Sequence, residues 1–130
     1  MRTFVLAGLA LSLPVTSVFV FAQQSRPEKI AVAASGKTPS ALVSSQPGRS
    51  PFFLFFDKKG TFMEAVDNPY KDAGSAGISA LEFLASKGVT VLVAEAFGPR
   101  IVEVMQGKGI KPIEFKGVAA NAVRSIVETR

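Results

Sequence analysis

The sequence predicts an α/β domain built on a mixed, five-stranded β-sheet that is flanked by helices. Three observations lead to this fold class. Residues 52–66 are predicted as a β-hairpin, because two strand-like runs flank a turn at 57–60. Residues 89–94 form a β-branched, apolar run that is typical of a buried parallel strand. Helical patterns with one apolar face lie on both sides of that run, as expected for βαβ units.

The first two strands enclose the longest predicted loop. Residues 30–34 are a short apolar run that predicts a buried strand. Residues 35–50 are rich in Gly, Pro and Ser, and so long a connection is usually functional or mobile. The aromatic run 52–56 predicts a core strand. In the return strand of the hairpin, simple alternation would place Phe62 and Glu64 on the same face.

One helix is predicted before the 89–94 strand and another after it. The first spans residues 75–87, with Ser75 as the candidate N-cap and Gly88 at the position where helices commonly end. The second begins at Pro99, since proline is favoured in the first turn of a helix.

A strand and a helix are the last predicted elements. Residues 111–116 are predicted as a strand, and Pro112 places it at an edge of the sheet because proline cannot donate a ladder hydrogen bond. The helix after it has the cleanest apolar stripe of the chain. Its apolar positions are Ala119, Ala122, Val123, Ile126 and Val127.

Residues 1–22 are predicted as a signal peptide, so a periplasmic or secreted protein is expected. A positive residue starts the segment, an apolar uncharged run follows, and Ala22 fits a cleavage site. A polar linker at 23–28 would then precede a domain at 29–130. An uncleaved membrane anchor is the alternative, because the apolar run is long enough to span a bilayer. The absence of cysteine excludes a lipid-modified N-terminus.

Composition restricts the chemistry more than any single motif does. The formal net charge is +5, but the lysines are scattered and do not alternate with aromatic residues. Nucleic-acid binding is therefore not expected. The sequence contains no His and no Cys, so it lacks the imidazole and thiolate groups that most often bind transition metals.

The order of the elements predicts a site at one end of the sheet. Ligands of open α/β sheets gather at the carboxyl ends of parallel strands. If strands 30–34 and 89–94 are parallel neighbours, the long loop meets the turn at 95–99 there. The helix after that turn would offer unpaired N–H groups and a partial positive charge, with Arg49 and Arg100 nearby. Such a site suits an anion, and ordinary helix capping is the alternative.

Residues 48–53 read Gly-Arg-Ser-Pro-Phe-Phe. This segment resembles a Gly-Arg-Ala-Pro-Tyr-Phe motif that follows the first strand in the dinitrogenase iron–molybdenum cofactor biosynthesis family. The similarity extends in order and spacing over about residues 29–130. Further matching segments are 67–69, 74–77, 84–89, 98–99 and 107–110.

The resemblance implies a ribonuclease-H-like fold and a non-catalytic protein that binds or carries an iron–sulfur or iron–molybdenum type cluster. Turn geometry remains an alternative role for Gly48, helix capping for residues 74–77, and packing at the base of the loop for Arg49. No catalytic residue and no metal ligand are predicted. The residues predicted to surround the ligand are Gln46, Gly48, Arg49, Gly74, Ser75, Gly77, Gly98 and Arg100.

The chain departs from the family pattern at the expected site. Gln46 and Pro47 stand where the family has His and Phe, and residues 94–97 replace glycines. Glutamine can hydrogen-bond but is a poor ligand for soft metals. Direct ligation of a cluster by side chains is therefore not expected. An anionic cluster would instead be held by Arg49 and by the N–H groups of helix N-termini.

Two enzyme classes are excluded by missing residues. A nuclease of this fold needs several carboxylates to hold two metal ions, and the first strand has none. A serine hydrolase would need a histidine base. Two functions remain: a carrier-like module for a small anionic ligand, or, as the alternative, a periplasmic interaction domain. The latter would dock a protein partner through the aromatic-rich sheet edge or the 35–51 loop.

Overall fold

A computed structural model describes residues 28–129 as one sheet covered by helices on both faces. The predicted signal peptide, and the predicted linker except Glu28, lie outside the described residues. No helix in residues 28–129 has the length and apolarity needed to cross a membrane. The strands are β1 (Lys29–Ala34), β2 (Phe52–Asp57), β3 (Phe62–Asp67), β4 (Val91–Ala94) and β5 (Lys111–Glu114). The helices are α1 (Ala76–Ser86), α2 (Pro99–Lys108) and α3 (Ala119–Glu128).

The sheet has the strand order β3-β2-β1-β4-β5. β1, β4 and β5 are parallel, whereas β2 pairs antiparallel with both β1 and β3. This is the mixed sheet of the ribonuclease-H-like fold, so the predicted fold class is confirmed. The first strand and the β-branched strand are parallel neighbours, which is the condition on which the expected site depends, and β5 lies at the edge as Pro112 indicated. The chain leaves β1 and β4 in opposite directions across the sheet, which makes a crevice at their carboxyl ends.

Alternate residues of the central strands supply two apolar cores, one on each face of the sheet. Phe53 and Phe55 are buried with the apolar residues of α1 and α2. Leu54 and Phe56 are buried on the other face with those of α3. The aromatic strand is thus a core strand, as predicted. It lies between β1 and β3, so the aromatic-rich sheet edge expected for partner docking is not formed by β2.

The β-hairpin contains a bulge that the sequence pattern did not reveal. Phe55 pairs with Glu64 and Phe56 pairs with Phe62, which leaves Met63 as an extra residue. Phe62 therefore lies on the α3 face, with its ring centroid 5.5 Å from that of Phe56, and Glu64 lies on the opposite face. The prediction that Phe62 and Glu64 share a face is wrong, because one inserted residue reverses the alternation.

The ends of α1 and α2 follow the sequence signals only in part. Pro99 is the first residue of α2, and Gly109 ends that helix with φ +71°. Gly88 follows α1 with φ +82°, a conformation that favours glycine. Ser75 occupies the N-cap position of α1, but its hydroxyl makes no capping hydrogen bond and instead contacts the hydroxyl of Ser79 at 3.3 Å.

The N-terminus of α3 is closed by the first part of the predicted long loop. The N–H groups of Ala119 and Ala120 donate to the carbonyls of Ala41 and Pro39, at 2.8 and 2.9 Å. The next loop residues turn toward the other face, where the carbonyl of Ser44 accepts from the N–H of Glu95 at 2.9 Å. The loop is thus divided into a segment that caps α3 and a segment that reaches the end of β4.

Candidate functional site

An open cleft of about 650 Å³ lies at the carboxyl ends of β1 and β4. Its walls are the second half of the loop after β1, the turn that enters α1, and the turn between β4 and α2. This is the end of the sheet where the topology predicts a ligand site.

All eight residues that the sequence predicts around a ligand line this one cleft. Their role in binding stays a prediction, but the structure brings them together from three separate segments. These residues are Gln46, Gly48, Arg49, Gly74, Ser75, Gly77, Gly98 and Arg100. The sequence did not indicate the apolar part of the wall, which consists of Pro47, Ala76, Ile78, Ala96, Phe97 and Ile101.

Two of these apolar side chains, Ile78 and Ile101, belong to the apolar stripes of α1 and α2 but are only half-buried and line the cleft. Ile101 also packs against the core on this face of the sheet. Each stands in the first turn of its helix. The helical periodicity is correct, but it does not show where along a helix the core ends.

The N-termini of α1 and α2 both open into the cleft. The first main-chain hydrogen bonds of these helices are made by the N–H groups of Ser79 and Val102. The N–H groups of Gly77, Ile78, Arg100 and Ile101 have no acceptor within residues 28–129. Neither first turn contains an acidic residue. Two partial positive charges thus face the same space without a carboxylate to offset them.

Arg49 joins the loop after β1 to the turn that enters α1. Its Nη1 donates to the carbonyls of Lys71 and Ala73, both at 3.0 Å. A guanidinium has five N–H donors, so three of those of Arg49 remain for other acceptors. The two roles weighed for Arg49 are therefore compatible: one nitrogen ties the loop to the turn, and the charge still borders the cleft.

Gly48 lies so close to α1 that no side chain fits there. A Cβ atom on Gly48 would lie 2.6 Å from both the N and Cα atoms of Gly77 and 2.9 Å from the carbonyl carbon of Ala76. Gly48 does not have a positive φ, so turn geometry is not the reason for glycine. The reason is the close approach of its backbone to the first turn of α1.

Buried polar side chains hold the loop in this position, and no sequence pattern indicates their roles. The Asn68 side chain is 3% exposed, and its Nδ2 donates to the carbonyls of Gly48 and Ser50, both at 2.9 Å. Its Oδ1 accepts from the N–H of Tyr70 at 3.0 Å. The Ser50 hydroxyl lies 2.7 Å from the carbonyl of Phe52 and 3.1 Å from that of Ala34. An Asn-Pro pair indicates a turn, but not which distant carbonyls the asparagine will bind.

The donor set of the cleft suits an anion better than a bare metal ion. Its polar groups are main-chain N–H groups, two guanidinium groups, a hydroxyl and an amide; no carboxylate lines it. No group of three or more Asp, Glu, His or Cys side chains with metal-binding geometry exists in residues 28–129. A cluster that requires protein ligands does not fit these residues. An anion that brings its own complete set of ligands does, because N–H groups and arginine bind such species from outside.

Solved structures of two other proteins share this fold. The apo form of the orange protein from Desulfovibrio gigas is 31% identical, with a TM-score of 0.73, and the match covers 81% of this chain and 91% of that one. A NifB-like protein of the DUF35 family from Thermotoga is 30% identical, with a TM-score of 0.67, over 79% of this chain and 90% of that one. No curated protein is significantly similar in sequence.

The family comparison covers nearly all of the described residues. Residues 28–129 match the model of the family described as dinitrogenase iron-molybdenum cofactor. This range includes every strand and helix and all three segments that build the cleft. The chain belongs to the dinitrogenase iron–molybdenum cofactor family.

Proposed function

We propose that this chain is a non-catalytic, carrier-like module that holds a small anion or an anionic metallocluster in the cleft between α1 and α2. The observation that carries the proposal is the convergence of two uncapped helix N-termini and two arginines on a cleft that no carboxylate lines. Each helix N-terminus favours a negative charge by about 0.3–1 kcal/mol, and more where water is partly excluded.

The family and the structural neighbours support a binding module of the cofactor-carrier kind. The family description names the iron–molybdenum cofactor, and one neighbour is NifB-like. The cleft volume of about 650 Å³ accommodates a polynuclear cluster as well as a single oxyanion. Because the chain has no Cys and no His, we propose that a bound cluster keeps its own sulfide, oxide or small-molecule ligands.

The residues of the cleft supply binding groups and no evident proton-transfer pair. The hydroxyl of Ser75 has no histidine base to activate it, since the sequence contains none. The guanidinium groups of Arg49 and Arg100 serve as charge partners. Binding and release of an intact anion requires no more than these groups.

Calorimetric titration and native mass spectrometry test the proposal. Protein purified without oxygen from its own host is first weighed by native mass spectrometry, where a bound mass with an isotope pattern of Mo or Fe is expected. The ligand-free protein is then titrated with molybdate and with phosphate. Saturable 1:1 binding, with a thermal shift that follows RT ln(1 + [L]/Kd), is the expected result. No bound mass and no saturable binding of either anion would contradict the carrier function.

We further propose that the protein works outside the cytoplasm, as the predicted signal peptide at 1–22 suggests. N-terminal sequencing of the protein from its own host tests this location. A mature chain that begins at Gln23 is expected, whereas an intact Met1 in a soluble cytoplasmic fraction would contradict export. The anion-binding proposal does not depend on this result. The alternative function of docking a protein partner draws no support from the family or the neighbours.

A further inference from the structure

Asn68 stands outside the lining of the cleft but binds both segments that form its cationic wall. It follows directly after β3 and begins the turn that enters α1. The loop after β1 carries Gly48 and Arg49 on the other side of this turn. Whether the arginine and the N-terminus of α1 can act on the same anion depends on how these two segments are held together.

The side chain of Asn68 makes two hydrogen bonds between these segments, as many as Arg49 makes, and unlike Arg49 it is buried. Its Nδ2 donates to the carbonyls of Gly48 and Ser50, and its main-chain N–H donates to the carbonyl of Pro51 at 3.0 Å. Its Oδ1 accepts from the N–H of Tyr70, which fixes the start of the turn. Every hydrogen-bonding atom of this 3%-exposed side chain is therefore used within the structure.

The bond to Gly48 has a consequence for the first turn of α1. The carbonyl of Gly48 is fixed by Asn68 while its Cα faces the backbone of Gly77 in close contact. Arg49 follows immediately and returns two hydrogen bonds to the same turn, at Lys71 and Ala73. Removal of the two Nδ2 donors would leave two carbonyls unpaired and free the loop to move away from α1.

We infer that Asn68 is a positioning residue for the cleft: its amide sets Gly48 and Arg49 against the N-terminus of α1 and so preorganises the site for an anion. This inference rests on the proposed anion-binding function. A site that is correctly formed only part of the time binds with an apparent affinity reduced by that fraction.

The test uses two variants, of which the first removes the two donors but keeps the shape of the side chain. Asn68→Asp retains an acceptor for Tyr70 but cannot donate to Gly48 or Ser50; Asn68→Ala removes both functions. The matched control is Thr90→Val, which deletes a partly buried hydroxyl that bonds to Lys29 at the opposite end of β1 and β4. Molybdate affinity is measured by calorimetry well below the melting temperature of each variant.

Asn68→Ala should bind molybdate about tenfold more weakly than the wild type, as the loss of hydrogen bonds to a buried group would produce. Asn68→Asp should bind at least as weakly, because its carboxylate also repels the anion. Thr90→Val should lose thermal stability but keep the wild-type dissociation constant. Unchanged affinity in the folded Asn68 variants, despite a lower melting temperature, would overturn the inference and reduce Asn68 to a structural residue.

A measurement without ligand keeps the two proposals separate. Amide hydrogen exchange at Ser50 and Ala73, which donate within the loop and the turn, should be about tenfold faster in Asn68→Asp than in the wild type. It should be unchanged in Thr90→Val. If the wild type binds no anion, the carrier function fails, and this exchange result still decides whether Asn68 positions the loop. Unaltered exchange at both amides would overturn the inference.

Discussion

The helices differ in whether the N–H groups of their first turns are hydrogen-bonded within the described part of the chain: those of α3 are, whereas those of α1 and α2 are not. At α3, two first-turn N–H groups are bonded to loop carbonyls, those of Ala41 and Pro39. At α1 and α2, the first-turn N–H groups face an open cleft and find no acceptor in residues 28–129. The N-cap residue of α1 is Ser75, whose hydroxyl makes no capping hydrogen bond, and the N-cap residue of α2 is Gly98, which has no side chain to make one.

The two halves of the loop after β1 therefore differ in role. The first half stabilises α3, and the second half forms part of the candidate binding cleft. Capping a helix is worth about 1 kcal/mol, so a helix N-terminus without a cap gives up stability that α3 retains through its loop. A chain that leaves two such ends open at the same cleft keeps their N–H groups available for a ligand. The loop segment at 39–41 serves the α3 face of the sheet, and the segment at 46–49 serves the cleft.

The largest effect is expected from closing an open N-terminus. Gly98 is the N-cap residue of α2 with φ −69° and ψ 153°, and a Cβ there would touch nothing within 4 Å. Gly98→Asp should cap Arg100 and Ile101, raise stability by about 0.3 kcal/mol, and weaken molybdate binding by about a hundredfold through charge repulsion. Chemical denaturation and calorimetry measure the two effects.

The matched control for that change is Val118→Asp at the N-cap of α3, where the first-turn N–H groups are already bonded to the loop. It should give no gain in stability and leave molybdate binding unchanged. Equal gains in stability at both helices, or anion affinity that survives in Gly98→Asp, would contradict the distinction between open and closed N-termini.

The next effect concerns the contact between the loop and α1. Gly48→Ala would place a methyl group within 3 Å of backbone atoms of Ala76 and Gly77, which cannot move aside independently. We expect a loss of about 2 kcal/mol in the free energy of unfolding, together with weaker molybdate binding. Gly74→Ala is the control, because a Cβ at that position meets nothing within 4 Å. Similar stability of the two variants would refute the close-contact role of Gly48.

Removal of the Arg49 guanidinium should affect both binding and stability, to a smaller extent. Arg49→Ala loses the hydrogen bonds to Lys71 and Ala73, which should cost about 1 kcal/mol of stability because the group is exposed. Molybdate affinity should fall about tenfold. Arg124→Ala removes the same charge from α3, where Nη1 bonds only to Asn121 among the described residues, and should leave affinity unchanged. Equal losses of affinity would indicate a general charge effect.

The smallest effect is expected from ionic strength. The arginines of the cleft are exposed, and exposed charges are screened over about 8 Å at physiological salt. Molybdate affinity should therefore fall a few-fold when the salt concentration rises from about 0.05 to 0.5 M, while the melting temperature of the ligand-free protein changes little. Affinity that is independent of salt would indicate that main-chain N–H groups alone bind the anion.

Much of the fold could be predicted because the strand signals are local and consistent. The β-branched run before Glu95 and the aromatic run after Pro51 each have one plausible role, and the topology then brings their loops together. The site residues followed from this topology and from the family resemblance. Arg49 and Gly98 are far apart in the sequence, but the parallel pairing of β1 with β4 places the segments that carry them at the same end of the sheet.

The features that could not be predicted depend on contacts between distant backbone atoms. The bulge at Met63 changes no residue type, so alternation alone placed Phe62 on the wrong side. Asn68 has the signature of a turn, and only the structure shows that it binds the carbonyls of Gly48 and Ser50. Likewise, nothing in the sequence of α3 shows that Pro39 and Ala41 close its N-terminus.

The open N-termini of α1 and α2 can be tested by NMR, which follows main-chain N–H groups while molybdate is added to the protein. If these N–H groups bind the anion, the resonances of Gly77, Ile78, Arg100 and Ile101 should show saturable shifts with one common dissociation constant. The resonances of Ala119 and Ala120 in α3 should remain in place, since loop carbonyls already occupy those groups. Shifts at α3 that equal those at α1 and α2, or no saturable shift at the cleft, would show that the open N-termini do not bind the anion.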